Sequence, residues 1–173
     1  MSGTYGAYQT RDDRPALSFE RRLSHPVDVV WRAITDVDEL QHWFPSRVEV
    51  EELRPGAEMT FRFENMPIDA PSTMTGRVTE YDPPRLLEFF WGGDHLRFEL
   101  EPLADDDACV LRLTVLLDAR DKAARDSAGW HVCLNRLERQ LAGTDPGGRE
   151  DWRELYEEYQ RRGAPAGAQI PGA

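Results

Sequence analysis

The chain has 173 residues, with Lys+Arg 21 against Asp+Glu 32 and a formal net charge of −11 at pH 7. That length fits one domain of roughly 100 to 200 residues, large enough to bury a core without disulfides or a structural metal. The negative field repels phosphate backbones and anionic head groups, so neither nucleic acid nor a membrane surface is an expected partner.

No apolar run approaches the ~18 residues of a membrane span. The opening MSGTYGAYQTRDDRP has neither the basic nor the hydrophobic region of a leader, so a cytoplasmic location is expected. Cys109 and Cys133 each lie in an apolar periodic segment and read as reduced core thiols. In chain order, residues 1–15 are polar and Gly-rich and are expected to be flexible; 16–162 read as the single domain, and 163–173 as a disordered Gly/Pro/Ala tail. Leu17, Phe19, Arg21 and Leu23 alternate as a half-buried strand does. Ser24 before Pro26 suits a helix N-cap, with Val27, Val30, Trp31 and Ile34 at helical spacing. Thr35-Asp36 offers a second cap, followed by Leu40, Trp43 and Phe44 before Pro45 ends the element.

From Val48 to Leu117 the period becomes two. Turn signals fall at Arg54-Pro55-Gly56, Asn65-Met66-Pro67, Asp82-Pro83-Pro84, Gly92-Gly93-Asp94 and Asp105-Asp106-Asp107, which makes a meander of about six strands with one apolar face. Trp130, Leu134, Leu137 and Leu141 then mark a long helix over about 120–142, which covers that face. After GTDPGG, a second helical stripe carries Trp152, Leu155, Tyr156 and Tyr159; it either folds back on the domain or offers an aromatic surface to a partner. The acidic runs Glu49–Glu52 and Glu150–Glu158 read as solvated faces.

This order of elements predicts an α+β helix-grip fold: a curved antiparallel sheet of six or seven strands wrapped around a long C-terminal helix, with two short helices after the first strand. The runs HPVDVVWRAITDVDELQHWF, TGRVTEYDPPRLLEFFW and GWHVCLNRLERQLAG, with the trailing WRELYEEY, resemble the family named for the C-terminal domain of the activator of Hsp90 ATPase. That family lies in the START and birch-pollen-allergen superfamily (SRPBCC), with polyketide cyclases and aromatases. The resemblance implies an apolar cavity between sheet and long helix that holds a small hydrophobic ligand. It also raises a co-chaperone role, but the fifteen residues before Ala16 leave no room for the further N-terminal domain of the eukaryotic protein, so a chaperone partner is not expected.

On this reading the helix contributes Trp130, Leu134 and Leu137, and the sheet contributes Phe61, Phe63, Phe89, Trp91, Phe98, Leu111 and Leu113. Trp43 joins them. The same residues equally describe a solid core, since any two-layer domain needs such a stripe. Polar groups available to a cavity or its rim are Glu80, Tyr81, His95 and His131. Glu80 shares strand parity with Met74, Gly76 and Val78, so it either faces inward near the sheet's end, where a raised pKa would make it a general base, or is a wet, ionised strand-end carboxylate beside the Asp82-Pro83-Pro84 turn. His131, about 100° around the helix from Trp130, is expected at the rim. His25 and His42 read as ordinary surface residues.

No metal-ligand spacing, nucleophile elbow or phosphate loop is present, and neither a metal, a cofactor nor a set of catalytic residues is assigned. Three readings stay open. The first is a binding protein for an apolar or aromatic small molecule, of lipid or polyketide type, as a monomer or weak homodimer. The second is a cyclase, aromatase or hydrolase using Glu80 or His131, and the third a protein-interaction module.

Overall fold

In the computed structural model, which describes residues 4–64, 66–147 and 150–170, period-two alternation produces eight strands. These are β1 Ala7–Arg11, β2 Arg14–Leu23, β3 Arg47–Val50, β4 Glu58–Arg62, β5 Thr73–Asp82, β6 Leu86–Trp91, β7 Asp94–Pro102 and β8 Cys109–Leu116. They form one antiparallel sheet in the order β1-β2-β8-β7-β6-β5-β4-β3. Cys109, Leu111, Leu113 and Val115 are buried while Val110, Arg112 and Thr114 between them are half-exposed. One face is therefore dry, as antiparallel sheets permit.

The helices are α1 Val27–Thr35, α2 Val37–Leu40, α3 Ala123–Leu141 and α4 Trp152–Arg161. Pro26, not Ser24, caps α1: its extended backbone aims its carbonyl at the amides of Val29 and Val30, both at 3.2 Å, and no side chain caps that end. Asp36 does cap α2, accepting the Asp38 amide at 2.9 Å. That helix lasts one turn, so Trp43 and Phe44 sit in the turn beyond it, with their amides on the Leu40 carbonyl.

The two ends of the chain differ from expectation. Residues 7–11 form β1 rather than a flexible arm, because Asp12 and Asp13 both take positive φ (50° and 62°) and close a two-residue hairpin onto β2. This strand and β2 with the six-stranded meander make eight rather than six or seven. At the other end Ala164 is buried, and the Ala124 amide donates to the Pro165 carbonyl at 2.8 Å. The Ala168 amide donates to the Asp121 carbonyl at 3.2 Å, so residues after α4 are tied to the start of α3.

The start of α3 is also pinned by the chain's single lysine. Lys122 Nζ lies 2.8 Å from Asp94 Oδ1 at the head of β7 and 2.8 Å from Asp118 Oδ1 just after β8. From that anchor α3 crosses the dry face of the sheet and buries Trp130, Leu134 and Leu137.

Candidate functional site

The interior between sheet and α3 is aromatic and filled. Phe61 on β4 stacks with Phe89 on β6 (centroids 5.9 Å, 22°), and Phe89 with Phe98 on β7 (6.1 Å, 18°). Strand β5 runs between Phe61 and Phe89, and Gly76 makes their contact possible: a Cβ there would meet Phe61 Cε2 at 2.8 Å and collide with the Phe90 carbonyl. Phe44, delivered by the turn after α2, enters this stack. Its ring centre is 6.1 Å from Phe61, 6.2 Å from Phe89, 6.0 Å from Trp91 and 5.7 Å from Trp130. Trp43 packs edge-on against Phe44 and Phe98, with its indole N–H on the Ala33 carbonyl at 2.8 Å.

The space left beneath α1 and α2, bounded by Ile34, Leu40, Phe44, Met59 and Leu87, is about 10 Å³. That is about the size of one water probe. Trp43, Phe61, Phe89, Phe98, Leu111, Leu113, Trp130, Leu134 and Leu137 are all buried. Each is thus a packing residue of a filled interior, while Phe63 and Trp91 are half-buried at its edge, 6.0 Å apart.

Open apolar space begins where that edge meets the flank of α3. A groove of about 320 Å³ is lined by Pro45, Trp91, Trp130, Cys133, Arg136 and Trp152, among others. Four parts of the chain meet there: the turn before β3, the end of β6, the middle of α3 and the first turn of α4. Trp91 and Trp130 form an edge-to-face pair at 5.5 Å, and the Trp91 indole N–H donates to Ser46 Oγ at 3.3 Å. Trp152 stacks on Tyr156 one turn along α4 (5.2 Å, 9°). On α3 the lining positions Gly129, Val132, Cys133 and Arg136 recur every three or four residues and so share one flank. A Cβ on Gly129 would meet nothing within 4 Å, which marks how open that flank is. Burial raises the Cys133 thiol to about 12, so it is an apolar wall and not a nucleophile. Sequence reasoning named Trp91 and Trp130 but passed over Pro45 and Arg136; the signal was this second stripe beside the better one of Trp130, Leu134 and Leu137.

The polar candidates lie elsewhere. The β5–β6 register shifts between Val78 and Glu80. This one-residue bulge reverses the parity that was to turn Glu80 inward, leaving it exposed 3.6 Å from Arg97 on the outer face. Tyr81 takes the inward position and packs on Trp31 of α1 at 5.8 Å. His95 is on the outer face, 3.0 Å from Glu88 Oε1 and 3.1 Å from Thr79 Oγ1.

His131 is not at a rim but fully buried. Residues 5 and 6 and α4 cover that flank of α3: His131 Nδ1 lies 2.8 Å from the Tyr159 hydroxyl, which accepts the Gly6 amide at 2.9 Å. The direction of the bond between phenol and Nδ1 follows the tautomer of the imidazole. Burial lowers His131 to about 4 and raises Tyr159 to about 12, so both are neutral near pH 7.

Over this pair a polar pocket of about 590 Å³ opens between α3 and α4, lined by Asn135, Glu138, Arg139 and Glu150 among others. Two of its charge pairs are internal: Arg21 Nη1 meets Asn135 Oδ1 at 2.8 Å and Glu138 Oε1 at 3.0 Å, and Arg139 meets Glu150 at 2.5 Å. Among the described residues no group of three or more His, Cys, Asp or Glu side chains is arranged to hold a metal ion. No helix among them is long and apolar enough to cross a membrane.

A family model described as "Activator of Hsp90 ATPase homolog 1-like protein" matches residues 24–142. No curated protein matches the sequence. Solved structures do. A conserved protein of unknown function, EF2215 from Enterococcus faecalis, superposes with a TM-score of 0.71 at 21% identity, covering 91% of this chain and 89% of its own. The protein encoded by gene BPP1335 from Bordetella parapertussis gives 0.67 at 24%, covering 100% and 98%. CalU16 from Micromonospora echinospora gives 0.66 at 21%, covering 88% and 91%. At these identities the likeness shows the fold alone, a helix-grip arrangement of curved antiparallel sheet and long C-terminal helix.

Proposed function

The chain belongs to the Activator of Hsp90 ATPase homolog 1-like family, and from that membership and the shape of the α3 flank we propose that it binds a flat aromatic or apolar small molecule in the tryptophan-lined groove. One observation carries this reading: Trp91, Trp130 and Trp152, from three distant segments, converge on an open groove of about 320 Å³. Ligand sites are concave, mostly apolar, and of roughly 300 Å³ or more. Rigid indoles offer large contact area at small entropic cost. The groove adjoins the aromatic stack through Trp91 and Trp130, so the ligand sits between sheet edge and helix flank rather than deep inside. Glu80 on the outer face and the covered His131 are both outside the groove's lining, so they supply it with no acid or base.

The test is intrinsic tryptophan fluorescence titrated with a panel of flavonoids, anthraquinones and long-chain lipids, on the wild type and on Gly129→Leu. That substitution fills the groove from a position where a Cβ would meet nothing within 4 Å, and its thermal unfolding is compared with that of the wild type to check the fold. Saturable quenching by at least one aromatic compound, lost in Gly129→Leu, is the expected result. A panel in which nothing binds, or in which Gly129→Leu binds as well as wild type, refutes the groove.

A further inference from the structure

Resting on the groove reading, we propose that the ligand is specifically an aromatic carboxylate and that Arg136 is the side chain that selects it. Arg136 lines the groove from α3, one face over from Trp130. It makes no hydrogen bond or ion pair with any described residue, and its buried Nε has no partner. Four other arginines that lean inward each reach a carboxylate, Arg21 that of Glu138, Arg97 that of Glu88, Arg125 that of Asp126 and Arg139 that of Glu150, although Arg21 Nε and Nη2 are themselves unpartnered. A guanidinium left unmatched in a chain whose formal charge is −11 is an exception to that pattern. Its charge reaches Glu150, which it helps to hold below the usual carboxylate range, but Glu150 itself is taken by Arg139.

The surroundings favour an anion with a flat apolar body. Indole walls exclude water and strengthen whatever charge interaction forms between them. The planar fork of arginine matches a carboxylate with two parallel N–H bonds and also lies comfortably against rings. A ring system held by Trp91, Trp130 and Trp152 would bring a carboxylate on its edge to Arg136. A cationic ligand finds no counterpart, since the one acid in the lining, Asp126, already faces Arg125 at 2.7 Å and Lys122 at 3.8 Å. Arg125, held by Asp126 and by the Gln169 carbonyl at 3.1 Å, is the built-in control: it lines the same groove with its charge already matched.

The experiment compares 2-naphthoate, 2-naphthamide and 2-naphthylmethylammonium, which share one ring system and differ in charge, by tryptophan quenching at low ionic strength. The expected order is naphthoate about tenfold or more tighter than naphthamide, with the ammonium compound weakest, as a charge-assisted bond beside apolar walls requires. Arg136→Gln brings naphthoate down to the amide's affinity. Arg125→Gln keeps the preference, and added salt shrinks it in wild type. Equal affinities for naphthoate and naphthamide overturn the assignment of Arg136 while leaving the aromatic groove intact. A preference that survives Arg136→Gln does the same. Failure of naphthoate and naphthamide alike overturns the groove together with its selectivity, and a response that tracks dimerisation instead of ligand assigns that flank to a second copy of the chain.

Discussion

Replacing Phe44 by Ala is the most direct test of the filled interior. The ring is 6% exposed and lies within 6.2 Å, centre to centre, of five other aromatic rings. Removing it leaves a void of roughly 100 Å³, which at ~24 cal/mol per Å³ contributes about 2.4 kcal/mol on top of lost transfer energy, within the ~3 to 5 kcal/mol typical of Phe→Ala. The lower end applies, because Phe44 also borders a cleft of about 290 Å³ beside Pro45 and Ser46 into which the turn can settle. About 3 kcal/mol corresponds to a fall in midpoint of roughly 6 to 12 °C at this chain length. Urea unfolding followed by both tryptophan fluorescence and far-ultraviolet dichroism measures it, with an unchanged m-value. The new void joins the existing 10 Å³ space and is walled by Ile34, Leu40, Met59, Phe89 and Phe98. Benzene should therefore raise the midpoint of the variant and leave wild type unmoved. A cost below about 1 kcal/mol, or benzene stabilising wild type equally, would mean that the stack is loosely packed and the interior already open.

Two further perturbations follow from buried polar groups. Lys122→Met removes the cation from Asp94, a carboxylate 2% exposed whose pKa burial already pushes upward. The expected loss at pH 7 is about 3 to 5 kcal/mol. The gap from wild type narrows as pH falls toward 4, because protonated Asp94 no longer needs a partner; a gap independent of pH in urea titrations would refute this. His131 is neutral in the fold down to about 4 but titrates near 6.5 when unfolded. Between those values the unfolded state binds the extra proton, so stability falls as pH drops through that window, by an amount on the order of 3 kcal/mol at most. His131→Gln should flatten the part of the slope between pH 7 and pH 4.5 that belongs to this side chain, and an imidazole that titrates near 6.5 by NMR in the folded protein would disprove the burial argument.

Much of the fold was legible because its periodicities are long and clean. The alternation of Leu17, Phe19, Arg21 and Leu23, the meander from Val48 onward and the stripe of Trp130, Leu134 and Leu137 all survive in the structure. What escaped was set by contacts between distant segments. Strand β1 is an edge strand with little burial, so Ala7–Arg11 carries no apolar alternation, and only the Asp12-Asp13 pair hinted at its hairpin. Parity alone left Glu80 open between inward and wet, and the bulge at Thr79, which adds one residue to the count, decides for the exposed position. His131 was assigned to a rim because its flank of α3 looks exposed in isolation; Tyr5 and Gly6, more than a hundred residues away in sequence, cover it together with Tyr159. The aromatic residues that suggested a cavity pack against Phe44, whose turn delivers it inward from outside the long helix and the sheet.

These corrections bear on where a ligand can act. An α-helix laid across a sheet buries one stripe and leaves two flanks. On α3 the first flank is covered at His131 by residues 5 and 6 and by Tyr159, whose hydroxyl ties backbone, imidazole and helix together, with the polar pocket above them. The second flank carries Gly129, Val132 and the buried Cys133 between Arg125 and Arg136, and an open groove remains there between Pro45, Trp91 and Trp152. An apolar surface of that kind is usually a binding surface. The filled interior then has a role of its own: Phe44, Trp91 and Trp130 in mutual contact hold the two indoles of the groove at a fixed angle, so a ligand entering there meets walls already in place and loses little affinity to ordering them. Loosening the stack at Phe44 should for that reason weaken naphthoate at a groove the substitution does not touch.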